Sequence, residues 1–212
     1  AEKMRDIYLR HYGLPAERSS VIPNPVPRKE TADIHRGEPT KEFVFWGRFI
    51  VMKNIPTLVR AFAKAALPEG YTLTLIGDGP QKKNIETLVK ELGIEKRVSV
   101  LPAMPQKDVL ERVKNARAFV LTSWTDISPN QVFEALAIGL PAIVTKENYL
   151  PIAKELPITV DPSSVDDVAQ ALEVAARDEE YKMFSEAFCA IRFEQSWGDA
   201  ASQHKLLFER II

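Results

Sequence analysis

Short apolar runs alternating with amphipathic helical stretches predict an α/β protein: a doubly wound, Rossmann-like parallel sheet. Three observations carry this. The apolar runs are near-continuous rather than alternating, as in "FVFW" (43–46) and "AFVL" (118–121), so both sheet faces are covered. Helical-period segments separate them and are long enough to serve as crossovers between parallel strands. The 212 residues are 45% hydrophobic and 27% charged, which suits one sizeable core and a single domain over 1–212.

The elements follow in order. "KEFVFWG" (41–47) is a buried strand ending in glycine. "IPTLVRAFAKAA" (55–66) is a helix whose inner face holds Leu58, Val59, Phe62, Ala65 and Ala66. "YTLTLIG" (71–77) is a strand, and "PQKKNIETLVKELG" (80–93) a helix with Ile85, Leu88, Val89 and Leu92 inward and Gly93 at its stop. Strand 97–102, helix 106–116, strand 118–123, helix 129–139 and strand 141–145 come next. A short strand at 158–160 precedes "SVDDVAQALEVAA" and further helix to the end. The proline-rich segment 21–42 reads as a connector ahead of the first strong strand.

Composition removes several functions. The net charge is −1, so no strongly basic field for nucleic acid exists and no nucleic-acid partner is expected. Cys189 is the single cysteine, which forbids an internal disulfide and suits a reducing, cytoplasmic setting. No apolar run approaches the ~18 residues that span a bilayer. The chain opens Ala1-Glu2-Lys3 and reads as a domain excised from a longer protein.

In such a sheet ligands bind beyond the carboxyl ends of the strands. The residues standing there are Gly47-Arg48 with Lys53, Gly77-Asp78-Gly79, Ala103-Met104, and Asp126 through Asn130. Glycines, two cations and a helix start on one edge suit phosphate. Ser128 is a favoured N-cap, Pro129 fits the first helical position, and Gln131 completes a capping-box pattern. The same features would serve any stable helix, whose apolar face is Val132, Phe133, Leu136, Ala137 and Leu140, with Glu134 on its flank. Gly77-x-Gly79 lacks the third glycine of the dinucleotide fingerprint, since Lys82 stands in its place, which argues against a nicotinamide enzyme.

Taken together, five ordered stretches resemble the C-terminal, donor-binding domain of a GT-B glycosyltransferase of family 4. They are "YGLPAERSSVIPNPV" (12–26), "WGRFIVMKNIPTLVRAF" (46–62), "LTLIGDGP" (73–80), "DISPNQVFEALAIGLPAIV" (126–144) and "FEQSWGDAASQHKLLFERI" (193–211). The resemblance implies a retaining, metal-independent transferase that takes a hexose from a UDP-, GDP- or ADP-sugar to a glycan or lipid acceptor, with no cofactor. It implies that Arg48 and Lys53 hold the donor diphosphate, that the N-terminus of the 129–139 helix adds backbone N–H donors, and that Ile127, Ser128, Pro129 and Asn130 line the donor site there. Glu134 would accept from the ribose hydroxyls, Asp126 would meet the sugar, and Ala103 and Met104 the base, with Met104 equally readable as core. Gly47, Gly77 and Gly79 would let backbone approach the donor.

Three departures stand out. Asp126 replaces a glutamate and loses roughly 1.5 Å of reach, Ser128-Pro129 replaces a glycine-rich turn, and Pro102 replaces a glycine beside the base. None of His11, His35 or His204 follows the pattern of the partner N-terminal acceptor domain, so the chain alone is expected to bind donor without transferring sugar. Any membrane association, at the inner face, would reside in that missing part. Apolar residues of the last helix, Leu206, Leu207 and Ile211, are expected to favour self-association. Two other readings stay open: a non-catalytic nucleotide-binding module of the same fold, motivated by Asp126, and a sugar-nucleotide epimerase.

Overall fold

The computed structural model describes residues 2–28 and 31–210. Six strands form one parallel sheet: β1 (Glu42–Trp46), β2 (Thr72–Ile76), β3 (Val98–Leu101), β4 (Ala118–Leu121), β5 (Ala142–Thr145) and β6 (Thr159–Val160). Their spatial order is β3-β2-β1-β4-β5-β6, the doubly wound arrangement expected. The order reverses between β1 and β4, and there the crossover helices leave in opposite directions and open a crevice at the carboxyl ends.

Among the described residues eight α-helices accompany the sheet. They are α1 (Glu2–Tyr12), α2 (Ile55–Lys64), α3 (Lys82–Glu91), α4 (Gln106–Val113), α5 (Asn130–Ala137), α6 (Val165–Ala176), α7 (Asp178–Cys189) and α8 (Trp197–Glu209). The core is aromatic at its centre. Phe43, Phe45, Phe49, Phe62, Phe119 and Phe133 are fully buried, and Phe45 stacks on Phe119 with ring centroids 6.3 Å apart. Strands buried on both faces explain the continuous apolar runs.

Several expectations are corrected at the edges of elements. Ala66 lies just beyond α2 and is exposed, and Leu92 is 39% exposed because it caps α3 where the helix turns into solvent. The C-terminal "helix to the end" is three helices, interrupted at Arg177 and at 190–196, with Ser196 and Asp199 forming the capping box that restarts the chain as α8. Leu206 is exposed on α8, Leu207 is half-buried, and Ile211 lies outside the described residues.

The connector 21–42 does more than link. Arg36 donates to the carbonyls of Lys114, Ala116 and Gly139 and to the Tyr181 hydroxyl, tying α4, α5 and α7 together at their ends. At the base of β1, Glu42 accepts from both terminal nitrogens of Arg112 (2.9 and 2.7 Å) and from the Thr74 hydroxyl. Burial pushes the Glu42 carboxyl up, but the hydrogen bonds from Arg112 and Thr74 outweigh it and hold the group below the usual carboxylate range. A depressed folded-state value means the stabilisation is present above the unfolded value of 4.5 and is lost as pH falls through the folded one. Urea unfolding of Glu42→Gln against the parent is therefore expected to show a deficit of about 1 kcal/mol at pH 7 that closes towards pH 3, small because Arg112 is partly solvated.

Candidate functional site

The site grows from strand ends. β1 ends in Trp46-Gly47-Arg48, and the chain then turns through a 3-10 segment, Val51–Lys53, before α2. The turn is closed by Asn54, at φ 49°, which donates to the Pro162 carbonyl and accepts from the Thr57 hydroxyl. Beside it, the β2–α3 loop runs so close that backbones touch. The Phe49 N–H donates to the Asp78 carbonyl (2.8 Å), and the Gln81 N–H donates to the Phe49 carbonyl (2.9 Å). This packing explains two glycines. A Cβ on Gly77 would overlap the Gly47 carbonyl oxygen, and one on Gly79 would lie 2.6 Å from the Phe49 carbonyl oxygen.

Between these loops, the β3–α4 loop and α5 lies a cleft of about 390 Å³ at the switch point. Its walls include Gly47, Arg48, Gly77, Asp78, Ala103, Met104, Asn130 and Glu134 among the residues expected at this edge, together with Trp46, Gln106 and Gln131, which were not. Met104 serves both of its readings: it lines the cleft and packs against the core. Arg48 is exposed, and its side chain makes no hydrogen bond or ion pair among the described residues.

Glu134 is the main surprise. It lies beside the apolar face as expected, but it is not solvated there, for the residue is only 9% exposed. Trp46 Nε1 donates to its Oε2 (2.7 Å) and Gln106 Nε2 to its Oε1 (2.5 Å). Helix α5 is buried on the sheet side by Val132, Phe133 and Leu136, and walled on the cleft side as well, so the two oxygens of this inward-facing side chain take their hydrogen bonds from protein donors. The signals that could have found its partners were a Trp at the last strand position and a Gln opening a helix after Pro105.

The start of α5 also differs. Pro129 is the N-cap, α5 begins at Asn130, and no side-chain hydrogen bond caps it, so the predicted Ser128–Gln131 capping box does not form. Gln131 instead turns its amide towards Gly47, a tertiary neighbour, with Nε2 2.8 Å from where a Cβ of Gly47 would stand. Asn130 instead accepts from Asn24 of the proline-rich connector (2.7 Å).

Lys53 and Asp126 are brought together, though not as two independent ligands. Lys53 Nζ lies 2.5 Å from Asp126 Oδ2, and the Ser123 hydroxyl donates to the same oxygen (3.2 Å). Both side chains are largely buried, at 8% and 14% exposure. Lys53, Gly79, Asp126, Ile127, Ser128 and Pro129 are not part of the cleft wall. Among the described residues no group of three or more His, Cys, Asp or Glu side chains converges on a metal position. None of the described helices is long and apolar enough to cross a membrane.

A parallel sheet with a mixed cationic and anionic cleft at its switch point is the build of an α/β domain that takes a polar small ligand. The family described as "Glycosyl transferases group 1" matches residues 28–187. The chain belongs to that family.

Among curated relatives, it is 31% identical over 174 residues to an exopolysaccharide phosphotransferase of Streptomyces coelicolor, covering 79% of this chain and 18% of that one. It is 32% identical over 137 residues to a lipopolysaccharide 1,6-galactosyltransferase of Salmonella typhimurium, covering 62% and 37%. The chain thus spans well under half the length of these relatives. The same fold occurs in the solved structures of the lipopolysaccharide outer core galactosyltransferase WaaB (TM-score 0.70, 20% identity, 95% of this chain and 58% of that) and of Anabaena HepE in complex with UDP-glucose (0.74, 17%, 97% and 60%).

Proposed function

We propose that the chain is the donor-binding domain of a retaining glycosyltransferase that moves a hexose from a nucleotide-diphospho-sugar to a glycan or lipid acceptor. One observation carries the reading: an unpartnered cation, Arg48, and an anchored carboxylate, Glu134, face one cleft at the switch point. The cation suits a diphosphate and the carboxylate a ribose diol. Membership of the family supports sugar transfer as the chemistry.

In that reaction the bond between the anomeric carbon and the diphosphate oxygen breaks, and its electron pair leaves with the diphosphate. The acceptor hydroxyl oxygen forms the new bond and passes its proton to the departing diphosphate oxygen. Arg48, the uncapped start of α5 and Lys53 stabilise the charge that grows on the leaving diphosphate. Asp126 holds Lys53 in place and addresses the sugar, while Ala103 and Met104 receive the base. An N-terminal domain supplies the acceptor site, and the work is done in the cytoplasm.

Calorimetric titration with UDP, GDP and ADP tests this. Millimolar or tighter binding of at least one is expected, and none binding to the intact fold would overturn the reading. Arg48→Ala is expected to weaken that binding by about 1.5–3 kcal/mol, the worth of a hydrogen bond to a charged group. The urea midpoint should stay unchanged, because the side chain is exposed and unpartnered.

A further inference from the structure

Both oxygens of Glu134 are tethered, one from the end of β1 and the other from the start of α4. Each tether starts from the end of a regular element. Trp46 is the last residue of β1, in register with Ile76 of β2, is 5% exposed, and packs its ring on Phe119 at 4.2 Å between centroids. Gln106 is the first residue of α4, directly after Pro105, which fixes the approach of its backbone. All three side chains line the same cleft.

A free glutamate rotates broadly about its terminal torsion, because that torsion has no sharp minima. Donors on both oxygens remove this freedom and fix the plane of the carboxylate. Each oxygen has two lone-pair directions, so one remains open on each. The result is a rigid pair of acceptors, which suits two adjacent hydroxyls presented together. A ligand with only one hydroxyl leaves one acceptor unmet in a site of low exposure, and a fixed carboxylate cannot turn to compensate.

We infer that Trp46 and Gln106 are positioning residues that make this domain select a ribose diol over a 2′-deoxyribose, by locking the Glu134 carboxylate. The inference rests on the nucleoside-diphosphate reading above. Its logic is pre-organisation: selectivity comes from rigidity in Glu134, and rigidity comes from two residues on other elements.

The test compares UDP, GDP and ADP with their 2′-deoxy counterparts by calorimetry on the parent chain, Trp46→Phe and Gln106→Leu. Trp46→Phe keeps an aromatic ring and removes the N–H; Gln106→Leu removes the amide at an exposed position. For whichever base binds, the parent is expected to favour the ribose form by about tenfold. Each variant is expected to narrow that ratio to about threefold or less, chiefly by weakening the ribose form. A merely structural role would weaken both forms alike and leave the ratio intact, and that result would overturn the inference while leaving the nucleotide reading standing. Equal binding of both forms by the parent would do the same. If none of the six nucleotides binds the folded parent, the nucleotide reading and this inference fall together. Thermal melts check that each variant folds, and should Trp46→Phe unfold, the ratio in Gln106→Leu decides the matter alone.

Discussion

Gly77→Ala is expected to lower the stability of the domain by about 3 kcal/mol or more and its melting midpoint by roughly 10 °C, with loss of nucleotide binding. The added methyl would overlap the Gly47 carbonyl oxygen and come 2.8 Å from the Phe49 ring. Neither neighbour can give way. The Gly47 N–H is bonded to the Ile76 carbonyl in the strand ladder, and Phe49 is fully buried and bonded through its N–H to Asp78. The backbone adds its own penalty, because φ at Gly77 is +156°, where a side chain is strained. Gly93→Ala is the control. Its φ is +66° but no atom lies within 4 Å of the added methyl, so only the strain remains, about 1 kcal/mol. A differential scanning comparison of the two variants separates collision from strain. Equal, small losses would mean that the β1–α2 and β2–α3 loops are not locked together as the structure has them.

These glycines also mark what the sequence could and could not convey. That glycine ends β1 and β2 was legible, and so was the edge on which the site would lie, because the continuous apolar runs of β1 and β4 require a parallel sheet. What one loop does to the next was not legible, since strand order joins residues far apart in the chain. Trp46 and Glu134 are separated by 88 positions, and Lys53 and Asp126 by 73. Periodicity assigned Glu134 to the flank of α5 because it counts apolar residues on a single helix. It has no access to a Trp that donates from β1. The cap was misplaced for a related reason: Ser128 has the right chemistry, but Gln131 is drawn towards Gly47 across the cleft, and tertiary contact overrides local preference. Arg36 was hidden in a connector whose composition says only that it is not a strand, although it joins three helix ends.

Lys53→Met is expected to cost about 3 kcal/mol in urea unfolding, the other large effect, because it strips Asp126 of its cation at a site where both side chains are mostly shielded from water. The Ser123 hydroxyl would be the one side-chain donor left on that oxygen. Removing both charges in Lys53→Met/Asp126→Leu should recover more than half of the loss, since a well-packed apolar pair is often as stable as the ion pair it replaces. The double variant also separates two roles that sequence reasoning had given to separate residues. If Lys53 stabilises the donor diphosphate as proposed, the double variant regains stability without regaining nucleotide affinity. If it binds UDP, GDP or ADP as the parent does, Lys53 acts only as the structural counter-charge of Asp126, and Arg48 alone carries the diphosphate. Arg48 has no pairing duty in the fold, so its loss should never register in the unfolding curve. A cation that matters to both stability and binding, beside one that matters to binding alone, is the pattern expected where one ligand group is built into the scaffold and the other is left free to meet its ligand.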